Sequence, residues 1–190
     1  MAEDMKPNEA RRKKLVPVLA RVLTELCKRN DHIPVDPSHV TKFHALRAPA
    51  ISIEDYLNRI SKYSGCSEEC FILSLIYVDR LINQNQNLIV NSLCVHRLII
   101  TSIMLAAKFF DDQYFNNAYY GKVGGVNCKE INSLEIEFLF MINFNLYVSD
   151  KDYDMYNKKL EEHAINMANM KNKLNNKLKN GNYNNNNNII

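Results

Sequence analysis

The sequence predicts an all-α fold, and three observations carry that expectation. Apolar residues recur at three- and four-residue spacing through most of the chain, whereas strand signals are weak throughout. Each such run opens on a nameable helix-start signal. One run, Leu98 to Ala107, has only Thr101 and Ser102 as polar residues, and a helix apolar on every side is tolerated only when other helices surround it.

Residues 1–14 are polar and read as loose. Pro17 suits a first helical turn, and Val18, Leu19, Val22, Leu23 and Leu26 form one apolar stripe that ends at Asn30. Pro34 and Pro37 then break the chain. Ser52 with Asp55 three residues on resembles a capping box, Ile51 can staple onto Tyr56, and Tyr56, Leu57 and Ile60 face inward, which predicts a helix over 52–64. Gly65 stops it. Ser67 with Glu68 and Glu69 opens the next, which runs to about 84 with Phe71, Ile72, Leu75, Ile76, Val78 and Ile82 buried.

Ser92 is read as the start of the central apolar helix, which runs to Phe110. A short helix over 114–121 leads into the turn "GKVGGV". Asn127 with Glu130 opens another helix, whose Ile131, Leu134, Phe138 and Met141 are spaced 3, 4 and 3 apart. Five helices between Ser52 and Met141, the third buried all round, make a bundle. Ser149 and Asp152 cap a further helix within 150–170, and the Asn/Lys-rich tail, 171–190, is expected to be disordered because it cannot bury enough apolar surface to offset its ordering entropy. The expected organisation is an N-terminal extension with one helix (1–42), the bundle (43–149), a C-terminal helix (150–170) and the tail.

Hydrophobic residues make up 46% and charged residues 24% of the 190, as in a folded soluble domain. The formal net charge is +3, and much of the positive excess lies in "RRKK" (Arg11 to Lys14) and in the tail. No basic stripe interleaved with aromatics is present, so nucleic acid is not an expected partner. The five cysteines are odd in number and scattered, and the N-terminus is charged through Lys14, which fits an intracellular protein in the nucleus, the cytoplasm or both. No apolar run approaches the ~20 residues a membrane span needs.

Several motifs have plainer explanations than the sites they imitate. Asp150, Asp152, Asp154 and Glu161 match calcium-loop spacing, but Met155 stands where the loop needs glycine, and acids gather at helix starts. Cys66 with Cys70, and Cys94 with His96, lack the paired spacing of a zinc site. Gly121, Gly124 and Gly125 follow no strand and read as turn residues. The histidines His32, His39, His44, His96 and His163 belong to no nucleophile or metalloprotease signature. The chain therefore has no residue set for catalysis, and neither a metal, a cofactor nor a small-molecule substrate is expected.

Lys108 stands out in "LAAKFFDDQYFNN". A cation suits the C-terminal end of a helix, and Asp111 and Asp112 lie three and four residues on. Glu135, in "NSLEIEFLFM", sits beside the inward stripe of its own helix. A lysine and a glutamate at the edges of two packed helices, ringed by Leu105, Phe109, Leu139 and Phe144, offer oriented polar groups and apolar anchors to another polypeptide.

At these residues the sequence resembles a cyclin. The stretches "ISIEDYLNRI", "FILSLIYVDRLI", "VHRLIITSIMLAAKFFDDQYFNNAYYGKVGGV" and "EINSLEIEFLFMINFNLYVS" follow the order and spacing of one five-helix cyclin box, closest to the small P/U type, over Phe43 to Ser149. The resemblance implies a regulatory subunit that forms a heterodimer with a cyclin-dependent kinase and is not itself an enzyme. It implies that Lys108 and Glu135 hold backbone groups just before the kinase's αC helix, that Leu105, Phe109, Leu139 and Phe144 are apolar contacts, and that Asp79 is a structural aspartate with Arg59, Arg80 or Arg97 as its partner. The alternative is a cyclin-fold adaptor that binds another protein or nucleic acid. Ala50 stands where the substrate-docking patch of mitotic cyclins has arginine, so RxL-type docking is not implied. The chain after Ser149 is too short for a second box.

Overall fold

The computed structural model describes residues 7–182, and side chains over 14–173. It is all-helical among these residues: α1 (Pro7–Asn30), α2 (Ile53–Tyr63), α3 (Glu69–Gln84), α4 (Val95–Phe110), α5 (Asn117–Gly124), α6 (Cys128–Met141) and α7 (Asp150–Asn182), with a 3-10 turn at Pro37–His39.

Helix α4 is the hub. Leu98, Ile100, Ile103, Met104 and Ala106 are fully buried, and α2, α3, α5 and α6 pack around it. Burial of each large apolar side chain is worth about 1.5–3 kcal/mol, so the wholly apolar girth read from the sequence carries much of the bundle's stability. Phe43 joins this core edge-on against Phe138 of α6, with ring centroids 5.8 Å apart. Outside it, α1 packs on α2 and α7, and α7 also reaches α3.

Three start signals work as read. Ser52 Oγ accepts from the Asp55 amide at 3.0 Å, Asn127 Oδ1 accepts from the Glu130 amide at 2.9 Å, and Ser149 Oγ accepts from the Asp152 amide at 3.2 Å. Two do not. Helix α3 begins at Glu69 with no side-chain cap: the Ser67 hydroxyl lies 3.3 Å from Cys70 Sγ and accepts from no amide of the first turn, while its amide donates to Asp111 Oδ2 at 2.9 Å. Helix α4 begins at Val95 because Ser92 gives both its amide and its hydroxyl to the Asp31 carboxylate, each at 2.8 Å. Both serines tie loops across the fold rather than cap the helix behind them.

Other boundaries also move. Helix α1 starts at Pro7 and runs through Pro17, since Ala, Arg, Lys and Leu propagate a helix well even where no apolar stripe marks it. The short helix lies at Asn117–Gly124, capped by Asn116, so Gly121 and Gly124 are helical and Gly125 alone is the left-handed cap, with φ 73°. Gly121 and Gly124 serve close packing: a Cβ on Gly124 would stand 2.7 Å from Ile100 Cγ1 of α4. Helix α7 continues to Asn182, beyond the expected end at 170. Once its first half is docked on α1 and α3 the costly nucleus is already formed, and each further residue adds one backbone bond. The expectation for 183–190 lies outside the described residues.

Candidate partner-binding site

Lys108 and Glu135 meet. The first sits in the last turn of α4 and the second in the middle of α6, with Lys108 Nζ 2.5 Å from Glu135 Oε1. The lysine side chain is 31% exposed and the glutamate 15%. Asp111 is committed elsewhere, accepting from the Ser67 amide and from the Cys70 thiol at 3.3 Å, so the partner that the spacing favoured for Lys108 is replaced by one from α6.

A third residue closes the arrangement. Asn117, the first residue of α5, accepts from Lys108 Nζ at 3.1 Å and donates through Nδ2 to Glu135 Oε2 at 2.7 Å and to Asn132 Oδ1 at 2.8 Å. The three helices are thus joined at one polar point, and both glutamate oxygens are satisfied. Sequence reasoning missed Asn117, because its contacts lie 9 and 18 residues away and no local spacing marks it.

The apolar residues divide. Phe109 is 54% and Phe144 58% exposed, Leu139 is half-buried, and Leu105, at 3% exposed, lies in the core and offers a partner almost no surface in this conformation. Phe140, also missed, is exposed and packs edge-on against Phe144, with centroids 5.1 Å apart.

Asp79 finds a partner that none of the three candidate arginines supplies. Its Oδ2 accepts from the Tyr156 hydroxyl of α7, with Asn83 Nδ2 at 3.4 Å. Arg59 donates to the Lys122 carbonyl, Arg80 to the Asn145 carbonyl, and Arg97 pairs with Glu130 and donates to the Lys42 and His44 carbonyls.

The imitated sites resolve into packing. Asp152 completes a capping box with Ser149, whose hydroxyl donates to its carboxylate at 2.8 Å. His96 is buried, lies edge-on to the Tyr56 ring and is 3.0 Å from the Ile51 carbonyl through Nε2. Cys27, Cys66, Cys70 and Cys94 are buried free thiols, and burial pushes Cys94 up to about 11 and Cys27 up to about 12, where they are poor nucleophiles at neutral pH. Among the described residues, no group of three or more His, Cys, Asp or Glu could hold a metal ion, and no helix is long and apolar enough to cross a membrane.

Fold and site together describe an all-helical bundle with a partly exposed charge pair between α4 and α6 and exposed phenylalanines, Phe109 and Phe140, on the same two helices, with Phe144 just after α6. The cyclin family profile matches residues 16–146. Cyclin-U4-1 of Arabidopsis thaliana is 44% identical over 146 residues, covering 75% of this chain and 72% of that protein. Cyclin-U1-1 of the same plant is 39% identical over 158 residues (81% and 75%), and Cyclin-P3-1 of Oryza sativa subsp. japonica is 41% identical over 164 residues (84% and 69%). The chain belongs to the cyclin family and is of the P/U type. The profile match takes in most of α1, which packs on α2 of the bundle. Membership carries a regulatory role, in cyclins generally toward cyclin-dependent kinases.

Proposed function

We propose that this protein is the regulatory subunit of a cyclin-dependent serine/threonine kinase, which it binds and activates by positioning the kinase's αC helix. The observation that carries the reading is the Lys108–Glu135 pair, held between α4 and α6 and bordered in sequence by the exposed Phe109 and, beyond Leu139, by Phe144. Lys108 has three donor hydrogens, of which Glu135 and Asn117 take two. One donor therefore remains for a partner's carbonyl, and the pair's rigid seating makes its direction definite.

Activation follows from what such a kinase needs. Its β3 lysine and αC glutamate must pair before the ATP phosphates are held correctly, so a partner that binds only the αC-in state shifts the population toward activity. Moving the balance from 1:99 to 99:1 takes about 5.5 kcal/mol of differential binding. A few desolvated aromatic contacts with one or two oriented charges supply that much. In this reading the protein has no catalytic residues and acts in the nucleus or the cytoplasm.

The test is to mix the purified protein with individual cyclin-dependent kinases and measure affinity and phosphorylation of a generic substrate. One kinase should bind and gain activity, and Lys108→Glu and Glu135→Lys should each weaken the complex at least about tenfold, as hot-spot truncations do. Full affinity in both variants overturns the proposal.

A further inference from the structure

We infer that Asn143 is a positioning residue: it sets the turn after α6 and so fixes where the Phe144 ring is offered to a partner. The step from presentation to partner binding rests on the kinase-binding reading above.

Two consecutive residues here have left-handed backbones, Asn143 with φ 52° and Phe144 with φ 57°. Asparagine accepts that region readily, but a bulky aromatic residue there is a genuine outlier. The turn is the one that glycine usually makes. The Asn143 amide bonds the Phe140 carbonyl at 3.1 Å and the Phe144 amide reaches back to the Leu139 carbonyl at 2.8 Å, so asparagine occupies the position that helix ends of this kind reserve for glycine.

Helix α3 holds the turn from the side. Asn85 Nδ2 donates to the Met141 carbonyl at 2.9 Å, Asn143 Nδ2 donates to Gln84 Oε1 at 3.1 Å, Arg80 Nη1 donates to the Asn145 carbonyl at 2.8 Å, and the Tyr77 hydroxyl donates to the Leu146 carbonyl at 2.9 Å. Ile142, in the same turn, is fully buried. The side chain of Phe144, by contrast, is 58% exposed and touches the equally exposed Phe140. A strained backbone persists only where its surroundings over-determine it. Here three α3 side chains, with Asn85 at the end of that helix, do so around a residue whose ring the core does not use. A ring fixed in this way loses little freedom when a partner covers it, which raises its contribution to affinity.

The experiment compares Asn143→Gly, Asn143→Ala and Asn143→Val with the wild type by two readouts. Amide hydrogen exchange of Phe144 in the free protein reports the turn, and calorimetric affinity for a purified cyclin-dependent kinase that the wild type binds reports presentation. Asn143→Gly should keep the Phe144 amide protected and the affinity within about threefold, whereas alanine, and more so β-branched valine, should lose the protection and weaken binding about tenfold, the scale of an interface anchor. The Phe138 amide, in the core, should stay protected in all three, which separates the local effect from unfolding. Lost Phe144 protection with unchanged kinase affinity overturns the inference and leaves the kinase reading intact. An unprotected Phe144 amide in the wild type overturns it as well, whatever the kinase result. A wild type that binds no kinase but shows the predicted exchange pattern refutes the partner and upholds the turn.

Discussion

The Tyr156 hydroxyl donates to the Asp79 carboxylate, joining α7 to α3 across 77 residues of chain. Burial, and then the adjacent carboxylate, push the phenol well above its ordinary range, so it remains a donor at any physiological pH. Tyr156→Phe leaves Asp79 only the 3.4 Å contact with Asn83. Urea denaturation should show a loss of about 1–2 kcal/mol, the cost of a half-buried acceptor left short of a partner. Tyr147→Phe, at a residue 70% exposed, should stay within about 0.5 kcal/mol of wild type. Equal midpoints for Tyr156→Phe and wild type would show that α7 does not need this bond.

Neighbouring glycines should respond to alanine for different reasons. At Gly124 the added methyl would stand 2.7 Å from Ile100 Cγ1 and 3.2 Å from Ile100 Cβ, forcing α5 off α4, an overpacking cost of about 1–3 kcal/mol. At Gly125 nothing lies within 4 Å, and only the left-handed φ of 73° opposes a side chain, which costs roughly 1–2 kcal/mol. Asparagine, which tolerates that region, should rescue position 125 but not position 124. Thermal melts of the four variants decide it, and rescue at 124 would refute the packing argument.

How much of this was legible in the sequence depends on the range of the interaction. The periodicity around Leu98–Ala107 and the Ser52, Asn127 and Ser149 caps are contained within a few residues, and the fold followed from them. Ser67 and Ser92 look like equally good caps but bond to Asp111 and Asp31, 44 and 61 residues away, and no local rule weighs such a competitor. The site shows the same division. Lys108 is conspicuous because a charge interrupts an apolar run, and Glu135 because it flanks one. Asn117 is an ordinary residue in a polar connector until the bundle brings it to both. For Asp79 the family resemblance left the partner open among Arg59, Arg80 and Arg97, and the phenol that reaches it comes from the helix that sequence patterning set outside the bundle.

Two histidines should make the fold sensitive to mild acid. Burial lowers the proton affinity of both His96 and His44. In the unfolded chain each takes a proton near pH 6.5, whereas in the folded chain each resists it. Below that pH the unfolded state therefore binds more protons, and stability falls as pH falls, until the folded-state values are reached. The slope is bounded by about 1.4 kcal/mol per pH unit for each histidine. Urea midpoints should be flat from pH 8 to 7 and decline from 6.5 to 5.5, less steeply in His96→Gln. An equal slope in that variant would show that His96 is protonated in the fold without cost.

Exchanging the two charges of the site separates its internal work from its external work. Lys108→Glu alone sets two carboxylates together beside Asn117, and Glu135→Lys alone does the same with two ammonium groups. Each should lower stability by about 1–3 kcal/mol, less than a fully buried pair because the lysine side chain is 31% exposed. The double variant restores an ion pair between α4 and α6 and should recover at least half of that loss. It also reverses the polarity seen by a partner, putting an acceptor where carbonyl groups expect a donor. Kinase affinity should therefore stay at least about tenfold weaker in the double variant even as its urea midpoint returns toward wild type. Recovery of affinity in step with stability would mean that the pair only braces the bundle, and that the partner is gripped by the exposed phenylalanines alone.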